Sequence, residues 1–271
     1  MLEIQNKHDW VEPFLMVAIM FFVLLSLSIF GVIIYIRQKK IKVQSKEEQF
    51  KEAIEEILFK ILFDGIDFNN INKNFAFRKF NDQPFFRNLM MRSIIDLHKN
   101  YDGLQAVRLE AFYRESGLIE DSIQKMKDHE WEVKCMGVVE LSEMNIKEVF
   151  EDIARISLKT KNKILKITAI NACIKLDANR GILHLTGHRY RFDVWTQVNI
   201  LDAITKLNIE HLNGIDRLLI SKNKSVVSLG LKIIKTFQLA ELMPEISNIT
   251  ASIDSQSIKK EGIELMEHFQ N

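Results

Sequence analysis

Proline and glycine are scarce: 3 and 10 in 271 residues, well below the usual ~5% and ~7%. A many-stranded sandwich, barrel or propeller lacks its turn residues here. Cysteine is rarer still. Cys135 and Cys173 form neither a C-x-x-C pair nor an evenly spaced framework, which excludes a disulfide scaffold and a structural zinc site. Two buried free thiols in a reducing compartment are expected instead. Net charge is almost absent as well, +1 from 37 Lys and Arg against 36 Asp and Glu, so the chain is neither a polybasic nucleic-acid coat nor a disordered polyelectrolyte. With 47% hydrophobic and 27% charged residues, what remains is an all-α protein of long helices joined by short polar connections.

One run carries no charge at all, Pro13 to Ile36. A helix over it, at about 1.5 Å per residue, spans the ~30 Å hydrocarbon layer with slight tilt. Pro13 suits a first helical position, and Trp10 and Tyr35 stand where interfacial aromatics belong. The basic start, short apolar run and small-x-small cleavage site of a secretory signal are not seen. Residues 1–12 carry −2 from side chains (Lys7 against Glu3, Asp9 and Glu12), and Arg37, Lys39, Lys40 and Lys42 put +4 directly after the run. The positive-inside bias then predicts a single-pass protein of the cell (inner) membrane, N-terminus outside and C-terminal bulk in the cytoplasm. That bulk, residues 43–271, is left with a net −1, no pull on nucleic acid. Ser26, Ser28 and Gly31 include no pair four apart, so no small-xxx-small dimer seam is expected. The run reads as a plain lipid-facing anchor or as a face docked on another membrane protein.

Residues 37–83 read as a basic step, an amphipathic helix and a connection. Phe50, Ile54, Ile57, Leu58 and Ile61 recur at helical spacing within 46–63. This helix either continues from the membrane or lies on it. The mixed signs of Glu47, Glu48, Lys51, Glu52, Glu55 and Glu56 favour packing on protein over an anionic lipid surface. Asp64 to Gln83 has no clear period, and its Phe68, Phe75, Phe77 and Phe80 are expected to cover one end of the next domain.

From residue 84 onward the chain repeats. EVKCMGVVEL, ILKITAINAC, TQVNILDAI, VVSLGLKII and IKKEGIELM superpose on Gly137, Ala169, Ile200, Gly230 and Gly262, at steps of 32, 31, 30 and 32. AVRLEAFYRE, with Ala111, would be an irregular first member. A polar break and a further apolar stretch follow each segment, as in helix pairs that must stack to bury a common core. Glycine inside a helix costs about 1 kcal/mol against alanine, and close helix approach is the reason to keep it. A basic residue stands three positions ahead of the small one in Arg108, Lys134, Lys166 and Lys259, with Gln197 and Val227 as departures. This pattern resembles the short HEAT repeats of phycobilisome-lyase-like proteins, over roughly residues 84–271. The resemblance implies an α-solenoid that binds protein, although the period is shorter than the ~40–47 residues of most HEAT arrays. The W-x2-L-G-x2-Y pattern of tetratricopeptide repeats is not seen.

Catalytic chemistry finds no motif. A HEAT-like iron hydroxylase of the deoxyhypusine type would need several His-Glu dipeptides, and only His129-Glu130 is there; a HEAT-like alkylpurine glycosylase would need a strongly basic face. His184 and His188 are spaced i,i+4, yet Gly187 lies between them and no HExxH glutamate follows, so they read as a solvated turn rather than metal ligands. No cofactor is expected. The candidate partner-binding residues are Arg189, Tyr190, Arg191, Phe192 and Trp195, the densest basic and aromatic cluster of the repeats; the alternative is an inter-repeat loop whose Trp195 packs as Trp131 does. The row Arg108, Lys134, Lys166 and Lys259 reads as an inter-repeat salt-bridge ladder or, secondarily, as a stripe for an anionic ligand. The expected function is a membrane-anchored scaffold or adaptor for a membrane or membrane-proximal protein, with a membrane-tethered enzyme or ligand sensor as the alternative.

Overall fold

The computed structural model describes residues 11–207 and 212–270, and every regular element among them is helical. The expected interfacial Trp10, the charges Glu3, Lys7 and Asp9, and the side chains of Glu12 and Lys42 lie outside the described part. The first helix, α1, runs without interruption over Val11–Phe59, 49 residues or about 75 Å. Between Gly31 and Gly65 the sequence holds neither glycine nor proline, so nothing local ends it. A π turn, Lys60–Asp64, closes it at Gly65, whose positive φ of 63° lets its N–H bond the Lys60 carbonyl. The apolar half of α1 contains an eighteen-residue window of mean hydropathy 2.9 with no residue buried, long and apolar enough to be a candidate membrane span. The lower half is different: Phe50, Ile54, Ile57 and Leu58 are all buried. Between the halves, no described side chain from Arg37 to Gln49 is buried.

The connection expected to be irregular contains two short helices, α2 (Phe68–Ile71) and α3 (Phe75–Phe80), the second capped by Asn74, which accepts from the Ala76 and Phe77 N–H groups. Its aromatics do close the end of the core. Phe77 stacks edge-on to Phe68 and Phe112, and Phe80 meets Phe50 at 4.9 Å between ring centroids. Phe75 is the exception, largely exposed beside Lys79.

Among the described residues twelve α-helices follow: α4 (Pro84–His98), α5 (Leu104–Glu115), α6 (Leu118–Lys127), α7 (Trp131–Glu143), α8 (Phe150–Lys159), α9 (Lys163–Leu176), α10 (Ala178–Leu185), α11 (Val194–Thr205), α12 (Ile215–Leu219), α13 (Lys224–Phe237), α14 (Met243–Ser252) and α15 (Gln256–Gln270). Helices α7, α9, α11, α13 and α15 touch one another in turn, and α10, α12 and α14 form a second row beside them. Gly137, Ala169, Ile200, Gly230 and Gly262, the superposed positions, are all buried in the first row. Ala111 is exposed, because α5 turns Leu109, Phe112 and Tyr113 inward instead; it does not share the register.

Helix α9 is buried on nearly all sides, nine of its 14 residues being enclosed. Ala169, Ala172 and Cys173 belong to one apolar cluster, and Ile170 and Ile174 to the next. Burial raises the Cys173 thiol to about 12, while Cys135 is only half-buried, so one of the two thiols departs from the expected interior. The boundary drawn at residue 84 crosses the first cluster, where Phe50, Ile57 and Ile61 pack in one core with Phe86, Met90 and Leu109. The lower half of α1 is thus a wall of the domain and not a link to it.

Candidate functional site

The candidate loop joins α10 to α11. Its backbone is held from a distance: Asn223, which caps α13, donates from Nδ2 to the carbonyls of His188 (2.9 Å) and Tyr190 (2.8 Å), and the Phe192 N–H donates to Ser225 Oγ at 2.8 Å. Gln197 Nε2 donates to the Phe192 carbonyl at 3.1 Å. These bonds fix the course of the backbone from 188 to 192. His188 and Phe192 point inward and are buried, at 2% and 1% exposure, while Arg189 and Arg191 point out. Tyr190 lies over the Lys166 ammonium at 5.3 Å. Phe192 therefore leaves the candidate contact surface and becomes part of the core that fixes it. Trp195 stays on the surface, 55% exposed between exposed Val194 and Val198 and over the Lys163 ammonium at 5.1 Å. It does not pack as the half-buried Trp131 does.

His184 and His188 are not a solvated turn. Their rings meet edge-on at 5.0 Å, and their Nε2 atoms lie 2.6 and 3.4 Å from the buried Ser157 hydroxyl, which itself donates to the Ala154 carbonyl. No third ligand joins them, and no group of three or more metal-ligating side chains occurs among the described residues. Burial holds the His188 imidazole down at about 3, helped by the neighbouring His184 and Lys166. In the unfolded chain the same ring titrates near 6.5. Between these values only the unfolded chain takes up the proton, so the contribution of His188 is complete above pH 6.5 and is lost as pH falls toward 3. The stability of the purified chain, followed by its thermal midpoint, is expected to drop over this range by up to about 1.4 kcal/mol per pH unit, and His188→Gln is expected to flatten the profile. Parallel profiles for the two proteins would refute the assignment.

The basic row is neither a ladder nor a stripe. Arg108 Nη1 donates to the Leu62 carbonyl at 2.7 Å, and Lys166 Nζ, buried at 5% exposure, donates to the Ser157 carbonyl at 2.9 Å. Both cap the C-terminal turn of a preceding helix, where carbonyls lack partners and the dipole favours a cation. Burial lowers the Lys166 pKa. No carboxylate pairs with Arg108, Lys134, Lys166 or Lys259 among the described residues. With Arg108 and Lys166 turned to backbone, no continuous anion-binding surface is left along the row. Lys134 lines a separate small groove with Arg155 and Lys159.

Sequence reasoning missed what stands opposite the loop. A groove of about 1250 Å³ separates it from α12, α13 and the start of α15, and Arg217, Lys222, Lys224 and Lys232 join Arg189 and Arg191 along its walls. The available signal was the basic SKNKS turn, 221–225, which begins 33 residues after the start of HRYR at 188. Chemically the arrangement offers anion-binding donors on a stiff backbone beside an exposed aromatic. Compared with family models, curated proteins and solved structures, the chain matches none of them.

Proposed function

We propose that the chain is a single-pass membrane protein with its N-terminus outside, whose cytoplasmic part is a short α-solenoid of HEAT-like repeats acting as a scaffold or adaptor for a membrane or membrane-proximal protein. The two touching rows of helices and the buried small or apolar position recurring about every 30 residues support the solenoid. The unbroken α1 supports the tether. Between the apolar run and the packed domain it carries the stretch Arg37 to Gln49, in which no described side chain is buried, a spacer of about 20 Å. A helical spacer confines the solenoid to a layer beside the membrane, which raises its effective concentration toward a partner there.

The observation that carries the binding role is the exposed shelf of Arg189, Arg191 and Trp195 on a loop braced by Asn223, Ser225 and Gln197. Arg and Trp combine large contact area with directional bonds, and a braced loop loses little entropy on binding. Arg189→Ala, Tyr190→Ala and Arg191→Ala combined are expected to remove proteins that co-purify from solubilised membranes. Helix content and membrane fractionation stay unchanged, since these side chains are not in the core. Undiminished co-purification would end this reading of the loop.

A further inference from the structure

We propose that the groove between the 186–194 loop and the 220–225 turn binds an extended acidic segment of a protein partner, in which carboxylates alternate with aliphatic side chains. The proposal rests on the adaptor reading and names the chemistry of what the adaptor holds. Its basis is local charge. Six cations line the groove, Arg189, Arg191, Arg217, Lys222, Lys224 and Lys232, against two carboxylates, Asp193 and Glu261. Neither carboxylate forms an ion pair with any of the six. Asp193 is held by Lys163 at 2.5 Å and by Thr196, and Glu261 accepts from Ser228 Oγ at 2.6 Å. Lys232 donates to Gln197 Oε1, and none of the six has an ion-pair partner among the described residues. Elsewhere the repeats do pair their charges between helices, as in Arg87 with Asp121 (2.6 Å), Lys125 with Glu140 (2.7 Å) and Lys175 with Glu143 (2.6 Å). Uncompensated cations in a concave site repel one another and focus the field on an incoming anion. A domain of net −1 thus keeps one strongly positive face.

The shape selects among anions. At about 1250 Å³ the groove exceeds the ~300–1,000 Å³ of ordinary small-molecule sites, and its cations come from two loops and two helices rather than converging on one point. An extended occupant meets them in turn. Val194 and Ile220 are among the most exposed apolar side chains of the domain, at 70% and 78%, and both line the groove. They offer aliphatic contact between the charges. A phosphodiester strand has no aliphatic side chain to set against Val194 and Ile220. The Asn223 bonds to the 188 and 190 carbonyls keep the two walls at fixed separation, so the site is largely formed before it is filled.

The test uses the full chain in nanodiscs of neutral lipid, with fluorescence anisotropy of a labelled peptide alternating Glu with Ile and Leu. Binding that weakens with salt, and that falls at least about tenfold when Gln replaces Glu in the peptide, is expected. Arg191→Glu with Lys222→Glu and Lys224→Glu should abolish it, at an unchanged melting temperature. Lys99→Glu with Lys127→Glu and Lys147→Glu, the same charge change at exposed lysines that do not line the groove, should leave it intact. Equal affinity for the Gln peptide, binding that survives the groove reversal, or tighter groove-dependent binding of a single-stranded oligonucleotide or of anionic vesicles would each overturn the proposal. The adaptor reading is read separately: if the reversal removes co-purifying protein while the acidic peptide fails to bind, the adaptor stands and the acidic segment does not.

Discussion

A fragment that begins at residue 84 is expected to be unfolded or aggregated, whereas one that begins at Lys46 is expected to melt cooperatively. The difference is residues 46–83: the lower half of α1 with its π turn, and α2 and α3 with the buried Ile71 and Phe77. Phe50, Ile54, Ile57, Leu58, Ile61 and Leu62 are each at most 3% exposed, and fully burying such a side chain is worth roughly 1.5–3 kcal/mol. Six of them amount to something on the order of 10 kcal/mol, an upper bound because unfolded chains already bury part of this surface. That is comparable with the whole stability of a domain, about 5–15 kcal/mol. Their removal also uncovers Phe86, Met90 and Met91, which pack against them. Arg108 would lose the Leu62 carbonyl that it caps. Circular dichroism melts of the two fragments decide the matter; equal midpoints would mean that α1 only leans on the domain.

Much of this was legible in the sequence because it rests on local signals. The uncharged run, the apolar period of 46–63 and the recurrence of small residues at 137, 169, 230 and 262 are each properties of one segment. Whether α1 runs on stayed open, because either a bend or a continuation fits an amphipathic pattern; the lack of glycine and proline from residue 32 to residue 64 is the signal that favours the unbroken helix. What escaped depends on partners far along the chain. The inward turn of His188 and Phe192 is set by Asn223 and Ser225, more than 30 residues away. Lys166 follows the free carbonyl of Ser157, which no charge pattern announces. The groove escaped for the same reason: each of its basic turns is an ordinary solvated loop until stacking sets one opposite the other. Net charge averaged over the domain then hides the face that carries it.

The helix stack makes its own demand at Gly137. A Cβ built there would lie 2.6 Å from the Ser122 carbonyl oxygen and closer still to the Met126 amide nitrogen, both backbone atoms of α6. Backbone inside a packed helix cannot rotate aside, so α6 and α7 must separate and open the core between them. Gly137→Leu is expected to cost more than about 3 kcal/mol, beyond the ~1 kcal/mol that leaving glycine returns in helix propensity. The melting temperature should fall by roughly 6–12 °C. Ala169→Arg, one repeat on and at 0% exposure, is expected to lose at least as much by burying an unpaired charge. Gly262→Ala makes a graded control, since its new Cβ would meet the Thr250 side chain, which has other rotamers to adopt. Gly31→Ala meets nothing within 4 Å and is expected to leave the melting temperature unchanged. The order Gly137→Leu worst, Gly262→Ala intermediate and Gly31→Ala neutral follows from backbone contact, side-chain contact and open space in turn. A melting series in which Gly137→Leu is no worse than Gly31→Ala would show that the repeats do not pack at this register.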